Sequence, residues 1–339
     1  PLKTNIDIEK LKTFLKKDEN PVVVFYGGEP LLEVEKIKQI IDSCSEIPNI
    51  KFRMQTNGKL LDKLPKEYLN KITKILVSID GDKKTTDFNR GLGTFDKVME
   101  NLKKIKKQGY QGEVVGRMTL SASEEKQKIN IFKQVKFLIE ECEFKFNSIH
   151  WQIDAGFYEN DFDFEIINSF FKEYNKSVSK LVDYWIKNLK QGKIIKIYPF
   201  LGILNRLLGL DKETCLQCGA GRKGYAITTN GKIVACPIMN NIKNFEAGDL
   251  KTNPKELKKF NIPDCKECSV KDICGGRCLY WKTANLWPKQ GDDLICNSIK
   301  HLISEIKKQV PTINELIESR TIKKQDLEYE KYFGPEIIP

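Results

Sequence analysis

Apolar residues recur at helical spacing at Ile8, Leu11, Phe14 and Leu15, which predicts a helix over residues 7–17. Pro21 then opens Val22-Val23-Val24-Phe25-Tyr26, a continuous apolar run of the kind that marks a strand buried on both faces of a parallel sheet. Helical spacing returns at Leu32, Val34, Ile37, Ile40 and Ile41. The alternation continues, with strands expected at 51–56, 74–79, 113–119 and 147–153 and helices around 64–72, 94–108, 125–141 and 164–190. Strands that each lead into a helix describe consecutive βα units, hence an α/β fold built on a parallel sheet or barrel. In such folds the working residues occupy the loops at the carboxyl ends of the strands.

After a short apolar helix near 200–210 the pattern changes. Tyr225-Ala226-Ile227-Thr228-Thr229 and Lys232-Ile233-Val234-Ala235 flank Asn230-Gly231, a strong hairpin signal, and the turn folds Cys236 back toward Cys218. A last helix is expected from near Cys296, with Ile299, Leu302, Ile303 and Ile306 on one face and a break at Pro311. The chain thus divides into a βα part over 1–208, a smaller part over 209–320, and a charged, weakly patterned tail over 321–339.

Composition narrows the classes. With 339 residues and 40% hydrophobic content the chain can bury a large core, and no run of about eighteen apolar residues suggests a membrane span. The formal charge is +11. Lys103, Lys104, Lys106 and Lys107 share a predicted helix face without interleaved aromatics, which reads as a solvated surface rather than a nucleic-acid tract.

The chemistry concentrates in cysteine. Eight of the ten fall between Cys215 and Cys296: Cys215-x2-Cys218, Cys236, Cys265-x2-Cys268-x5-Cys274-x3-Cys278, and Cys296. Eight thiols suffice for two four-sulfur sites, and a Cys-x2-Cys pair can deliver two thiolates to one metal or cluster. Disulfides fit poorly in a chain this long with no signal peptide, so reduced, ligand-bound cysteines and the cytoplasm are expected. Four thiolates accept zinc as readily as an iron–sulfur cluster, so a zinc protein binding a partner or nucleic acid is the alternative reading. Cys44 and Cys142 read as buried thiols, and His150 and His301 as structural histidines.

The strand ends are rich in glycine and polar residues: Gly27-Gly28-Glu29-Pro30, Gln55-Thr56-Asn57-Gly58, Ser78-Ile79-Asp80-Gly81, Arg117-Met118-Thr119 and Gln152-Ile153-Asp154. Together with Tyr26 and Leu31-Leu32, the first three resemble successive strand ends of radical S-adenosylmethionine (SAM) enzymes. The run from Cys218 through Gly231-x4-Cys236 to Cys296 resembles their SPASM extension, found in anaerobic sulfatase-maturating enzymes and many peptide maturases. The resemblance spans roughly residues 20 to 300.

It implies a partial (β/α)6, TIM-like barrel followed by a small cysteine-rich domain. It also implies a radical enzyme that cleaves S-adenosylmethionine reductively and modifies a peptide or protein side chain, with a low-potential donor such as ferredoxin or flavodoxin. The backbone at Gly27 and Gly28 would meet the methionyl amino group, Glu29 would accept from the backbone or from that ammonium, Asn57, Ser78 and Asp80 would meet the ribose and carboxylate, and Arg117 a carboxylate unless it pairs internally with Asp80 or Asp154. By the family pattern Cys215, Cys218, Cys236 and Cys278 hold one auxiliary [4Fe-4S] cluster, and Cys265, Cys268, Cys274 and Cys296 a second. Two such clusters would bring the net charge to roughly +7. The family's Cys-x3-Cys-x2-Cys loop is not in this sequence, since no cysteine lies between Pro1 and Gly27. That loop, its first barrel strand and a third [4Fe-4S] cluster are expected from a segment upstream. Sulfatase-maturating relatives carry an aspartate base directly after the cysteine matching Cys236. Here Pro237 stands there, so oxidation to formylglycine is not carried over, and Asp154 is the candidate catalytic base by position.

Overall fold

The computed structural model describes residues 4–121, 130–154, 162–211, 216–240, 242–261, 265 and 267–332. Five strands, β1 (Val22–Phe25), β2 (Lys51–Thr56), β3 (Ile72–Ser78), β4 (Glu113–Leu120) and β5 (Ser148–Ile153), pair in sequence order into one wholly parallel sheet. The βα helices are α1 (Ile8–Leu15), α2 (Val34–Cys44), α3 (Lys66–Leu69), α4 (Lys83–Arg90), α5 (Thr94–Lys107), α6 (Ile131–Lys136) and α7 (Phe164–Leu189). Beyond β5, Ile197 bridges Ile149 in parallel just before α8 (Tyr198–Leu207), which marks the place of a further strand. The expected α/β partial barrel is what forms, with β1 as its edge.

Strand register separates two faces. Met54, Ile75, Val77, Ile149 and Trp151 join the main core with the helices. Trp151 donates its indole N–H to the buried Tyr174 hydroxyl of α7 at 2.8 Å. Each such fully buried side chain contributes about 1.5–3 kcal/mol. The other face is the barrel interior, and toward the amino ends of the strands it is ionic. Arg53 and Lys74 are each 1% exposed there, and Lys74 meets Glu113 at 3.0 Å and the Tyr198 hydroxyl at 2.6 Å.

The tail closes this interior. Glu330 pairs with Arg53, with Lys51 at 2.9 Å and with Lys74 at 3.4 Å, and Arg53 also donates to the Tyr332 carbonyl at 3.0 Å. Tyr329 packs edge-on against Tyr198, ring centroids 6.0 Å apart. Residues 328–332, expected as weakly patterned tail, are therefore part of the barrel.

The cysteine-rich part carries a small antiparallel sheet, β6 (Ala226–Ile227), β7 (Lys232–Val234) and β8 (Glu246–Asp249), in that order. The hairpin forms at Asn230-Gly231, where Gly231 sits at φ 82°. Then come α9 (Lys271–Cys274), α10 (Leu279–Ala284) and α11 (Lys289–Glu318).

Several expected bounds need correction. Helix 64–72 shrinks to α3, because Pro65 leads in and Ile72 already belongs to β3. The helix expected over 125–141 begins outside the described residues and ends as α6 plus a π-helical turn over Phe137–Glu141. Helix α4 has no apolar stripe to betray it and buries only Thr86. Its Asp82 cap, accepting from the Thr85 N–H at 2.8 Å, holds it instead. Helix α11 runs straight through Pro311. The missing N–H and ring clash cost about 3 kcal/mol. Burial of Ile306 and Ile313 on either side offsets this, as does docking along α7, where His301 meets the Ser179 hydroxyl at 3.0 Å. His301 is structural, as expected. Cys44 and Cys142 are fully buried, and burial pushes both thiols up.

Candidate active site

The carboxyl ends of β1–β5 bring the polar loops to one rim. After β1 the chain turns at Gly27, φ 133°, into Gly28, and a Cβ built on either glycine would meet no atom within 4 Å. Bare, exposed backbone beside open space is what a ligand needs for close approach to main-chain groups.

Glu29 braces this rim. One carboxylate oxygen accepts from the Leu31 N–H at 3.1 Å and the Thr56 hydroxyl at 2.7 Å; the other accepts from the Asn57 N–H at 2.8 Å. The side chain thus ties the end of β1 to the end of β2. The Asn57 side chain accepts from the Lys59 N–H at 2.9 Å. Asp80 is 1% exposed and takes Arg90 at 2.8 Å, the Thr119 N–H at 2.9 Å and Asn89 at 3.1 Å. All these partners come from the chain itself, so Asp80 anchors α4 and β4 to the end of β3.

Ser78, Arg117 and His150 lie in register on the inner face of β3, β4 and β5. Arg117 pairs with neither Asp80 nor Asp154; one guanidinium N–H reaches Gln152, two residues along the next strand. Its buried Nε has no hydrogen-bond partner in the described structure. A guanidinium held on an inner face with a donor unused is suited to a bound carboxylate. Asp154 follows β5, half-buried, and accepts from the Ser121 hydroxyl at 3.0 Å.

The cysteines line a second region against α8. Arg206 of α8 donates to the Asp272 carbonyl at 2.6 Å, which seats α9. A Cβ on Gly221 would stand 3.2 Å from the Ala235 Cβ, so the loop after Cys218 lies against the strand end that carries Cys236. Gly275, Gly276 and Arg277 take φ values of 70°, 97° and 66° in succession, a left-handed reversal that returns the chain from Cys274 to Cys278. Cys278 then caps α10, accepting from the Trp281 N–H at 3.5 Å. Burial pushes the Cys274 thiol up to about 11, with the Cys296 charge adding to it. Burial, then the Asp292 charge, also raises Cys296, on which Cys265 acts too. Charge thus couples Cys274 to Cys296 and Cys296 to Cys265, which are three of the four ligands expected for the second cluster.

Among the described residues no three His, Cys, Asp or Glu side chains stand close enough to hold a metal ion, and Cys215 lies outside those residues. The donor set is nonetheless all sulfur. The thiols are half-buried and within reach of cationic groups, which fits a thiolate-bound metal or cluster.

Sequence reasoning missed Arg53, Lys74, Glu113 and Glu330, because their partners are distant in sequence, and Arg277, whose cue is an arginine where a third glycine would relieve the backbone.

Comparison with known proteins agrees with the fold. Residues 3–133 match the family model of the Radical SAM superfamily. The chain is 22% identical over 314 residues to a cysteine-type anaerobic sulfatase-maturating enzyme of Clostridium novyi (strain NT), covering 85% of this chain and 81% of that protein. It superposes on native anSMEcpe with bound AdoMet and Kp18Cys peptide with a TM-score of 0.65 at 18% identity, over 91% of this chain and 90% of that one. It also superposes on Streptococcus suis SuiB bound to precursor peptide SuiA, with a TM-score of 0.51 at 16% identity over 80% and 65%.

Proposed function

We propose that this chain, whose barrel half matches the radical SAM superfamily and whose fold is that of its peptide maturases, is an enzyme that modifies a side chain of a peptide or protein substrate. The observation that carries the reading is the open rim over Gly27-Gly28, with the unused donor of Arg117 on the same mouth of the barrel. S-adenosylmethionine, when bound there, would supply a carbon radical able to take a hydrogen atom from the substrate, on cleavage by one electron from the third [4Fe-4S] cluster expected on the upstream Cys-x3-Cys-x2-Cys loop.

The chain's own residues hold and orient. Gly27 and Gly28 offer backbone to the methionyl amino group, Arg117 its fork to the carboxylate, and Ser78 and Asn57 hydroxyl and amide groups to the ribose. Glu29 and Asp80 fix the loops that carry these groups rather than contacting the ligand themselves. Asp154, hydrogen-bonded to Ser121 at the same rim, is placed to take a proton from the substrate.

The cysteine-rich part holds two auxiliary [4Fe-4S] clusters on Cys215, Cys218, Cys236 and Cys278 and on Cys265, Cys268, Cys274 and Cys296. Four thiolates on each cluster would leave no open iron, which suits carrying an electron away from the substrate radical, while a low-potential donor such as ferredoxin or flavodoxin would supply the reducing electron. The anSMEcpe and SuiB peptide complexes support a peptide substrate. Pro237, exposed at the head of a 3-10 turn, provides no carboxylate where sulfatase maturation uses one, so another oxidation or cross-link is the expected outcome.

Anaerobic purification with iron, sulfide and zinc analysis tests the reading. About eight irons and eight sulfides per chain support it. A colourless protein with two zincs overturns it in favour of a zinc-bound binding module.

A further inference from the structure

Tyr332 lies in the left-handed region at φ 60°, a strained conformation for an aromatic residue. Such strain persists where the surroundings over-determine the backbone, and here two parts of the chain do so. On the barrel side the Tyr332 carbonyl accepts from Arg53 at 3.0 Å, two residues after Glu330 enters the cationic interior. On the other side the ring lies against Gly219, the residue after Cys218. A Cβ on Gly219, itself at φ 73°, would stand 2.8 Å from a ring carbon of Tyr332, so a glycine is what admits the tail this closely.

Gly219 is the hub of the turn that follows Cys218. Its carbonyl accepts from the N–H groups of Arg222 at 3.1 Å, Lys223 at 2.8 Å and Gly224 at 2.9 Å, and its own N–H returns to the Leu216 carbonyl at 2.9 Å. Whatever shifts Gly219 therefore shifts the whole turn. The tail that reaches it is held along its length. The Leu327 carbonyl accepts from Asn205 of α8 at 2.9 Å, Tyr329 stands edge-on to Tyr198, and Lys331 pairs with Asp211, which Arg206 holds at 3.0 Å. Its deepest anchor is ionic, since Glu330 meets Lys51 and Arg53 of β2 and Lys74 of β3.

We propose that Leu327–Tyr332 is a charge-latched strap. Glu330 seats it in the barrel interior, and Tyr332 is thereby a positioning residue for the turn that carries Cys218. These are contacts of protein with protein, so the coupling does not depend on what the cysteines bind. Glu330 is 41% exposed, so salt reaches its pairs and weakens the latch.

The full chain, purified anaerobically, is followed by hydrogen–deuterium exchange with mass-spectrometric readout. Glu330→Gln alters a side chain that pairs with β2 and β3. It should nevertheless speed exchange over 216–224 by at least about fivefold and leave β7 and β8 unchanged. Tyr332→Ala should do the same, and Tyr332→Phe, which keeps the ring, should not. Raised ionic strength should speed 216–224 in wild type and have much less effect in Glu330→Gln, whose latch is already open. Unchanged exchange over 216–224 in either Glu330→Gln or Tyr332→Ala overturns the coupling. Equal acceleration throughout the chain makes the strap a general contributor to stability and overturns it too. A salt response the same in wild type and Glu330→Gln overturns the latch.

Discussion

Asp80 holds Arg90 at 2.8 Å across the turn from β3 to α4, with the aspartate 1% exposed. Neither residue belongs to a periodic apolar pattern, yet the pair fixes the loop that follows Ser78. Asp80→Asn should lower stability by about 3–5 kcal/mol, because it leaves a guanidinium short of its charge partner in a desolvated site. Urea unfolding followed by circular dichroism checks this. Loss of cofactor affinity without loss of stability would instead place Asp80 on the ligand.

Gly28 separates the opposite case. A Cβ there meets nothing within 4 Å and its φ lies outside the left-handed range, so Gly28→Val should change stability by no more than about 0.5 kcal/mol. It should nevertheless abolish binding of S-adenosylmethionine in calorimetry. Retained affinity would remove the pocket from this rim.

The seat of the tail should be acid-sensitive. Burial alone would raise Glu330, but the hydrogen bond from Lys51 and the charges of Arg53 and Lys74 outweigh it and hold the carboxyl below its ordinary value of 4.5. A depressed folded value means the contribution is present above the ordinary carboxylate range and disappears as pH falls through the folded value. Glu330→Gln should cost about 1 kcal/mol at neutral pH, since the carboxylate is 41% exposed and solvent screens its pairs although Arg53 is buried, and the difference in melting temperature from wild type should close on acidification. A difference independent of pH would show that the contact is not ionic.

Ligand partition is testable by single substitutions. Cys236→Ala and Cys274→Ala should each lower iron from about eight to about four per chain, and the double variant should hold almost none. Equal, complete loss in both single variants would mean one shared site.

The parallel sheet was legible because buried strands such as Ile75-Leu76-Val77 and the amphipathic helices around them carry their own periodicity. The hairpin at Asn230-Gly231 was legible from turn chemistry. What escaped was held by charge and caps rather than by apolar period. Helix α4 rests on Asp82, the barrel interior on Lys74, Glu113 and Glu330, and the Cys274–Cys278 reversal on a strained arginine. At Pro311 local chemistry was read correctly but outvoted, since burial on both flanks outweighs one missing hydrogen bond. Glu29 and Asp80 were found by motif, but the partners they brace were not, because a sequence does not show which donors surround a carboxylate.

The contact between Arg53 and Tyr332 joins positions 279 residues apart. At about 5–20 residues per second, the ribosome needs on the order of tens of seconds to travel that distance. Throughout that interval the nascent strands carry Arg53 without the carboxylate that will face it, and Lys74 with Glu113 but not yet Glu330. The barrel is completed only after the cysteine-rich part has been synthesised, so the two do not fold as beads on a string. A fragment cut near residue 208 would retain every strand of the large sheet and lack the segment that neutralises its interior.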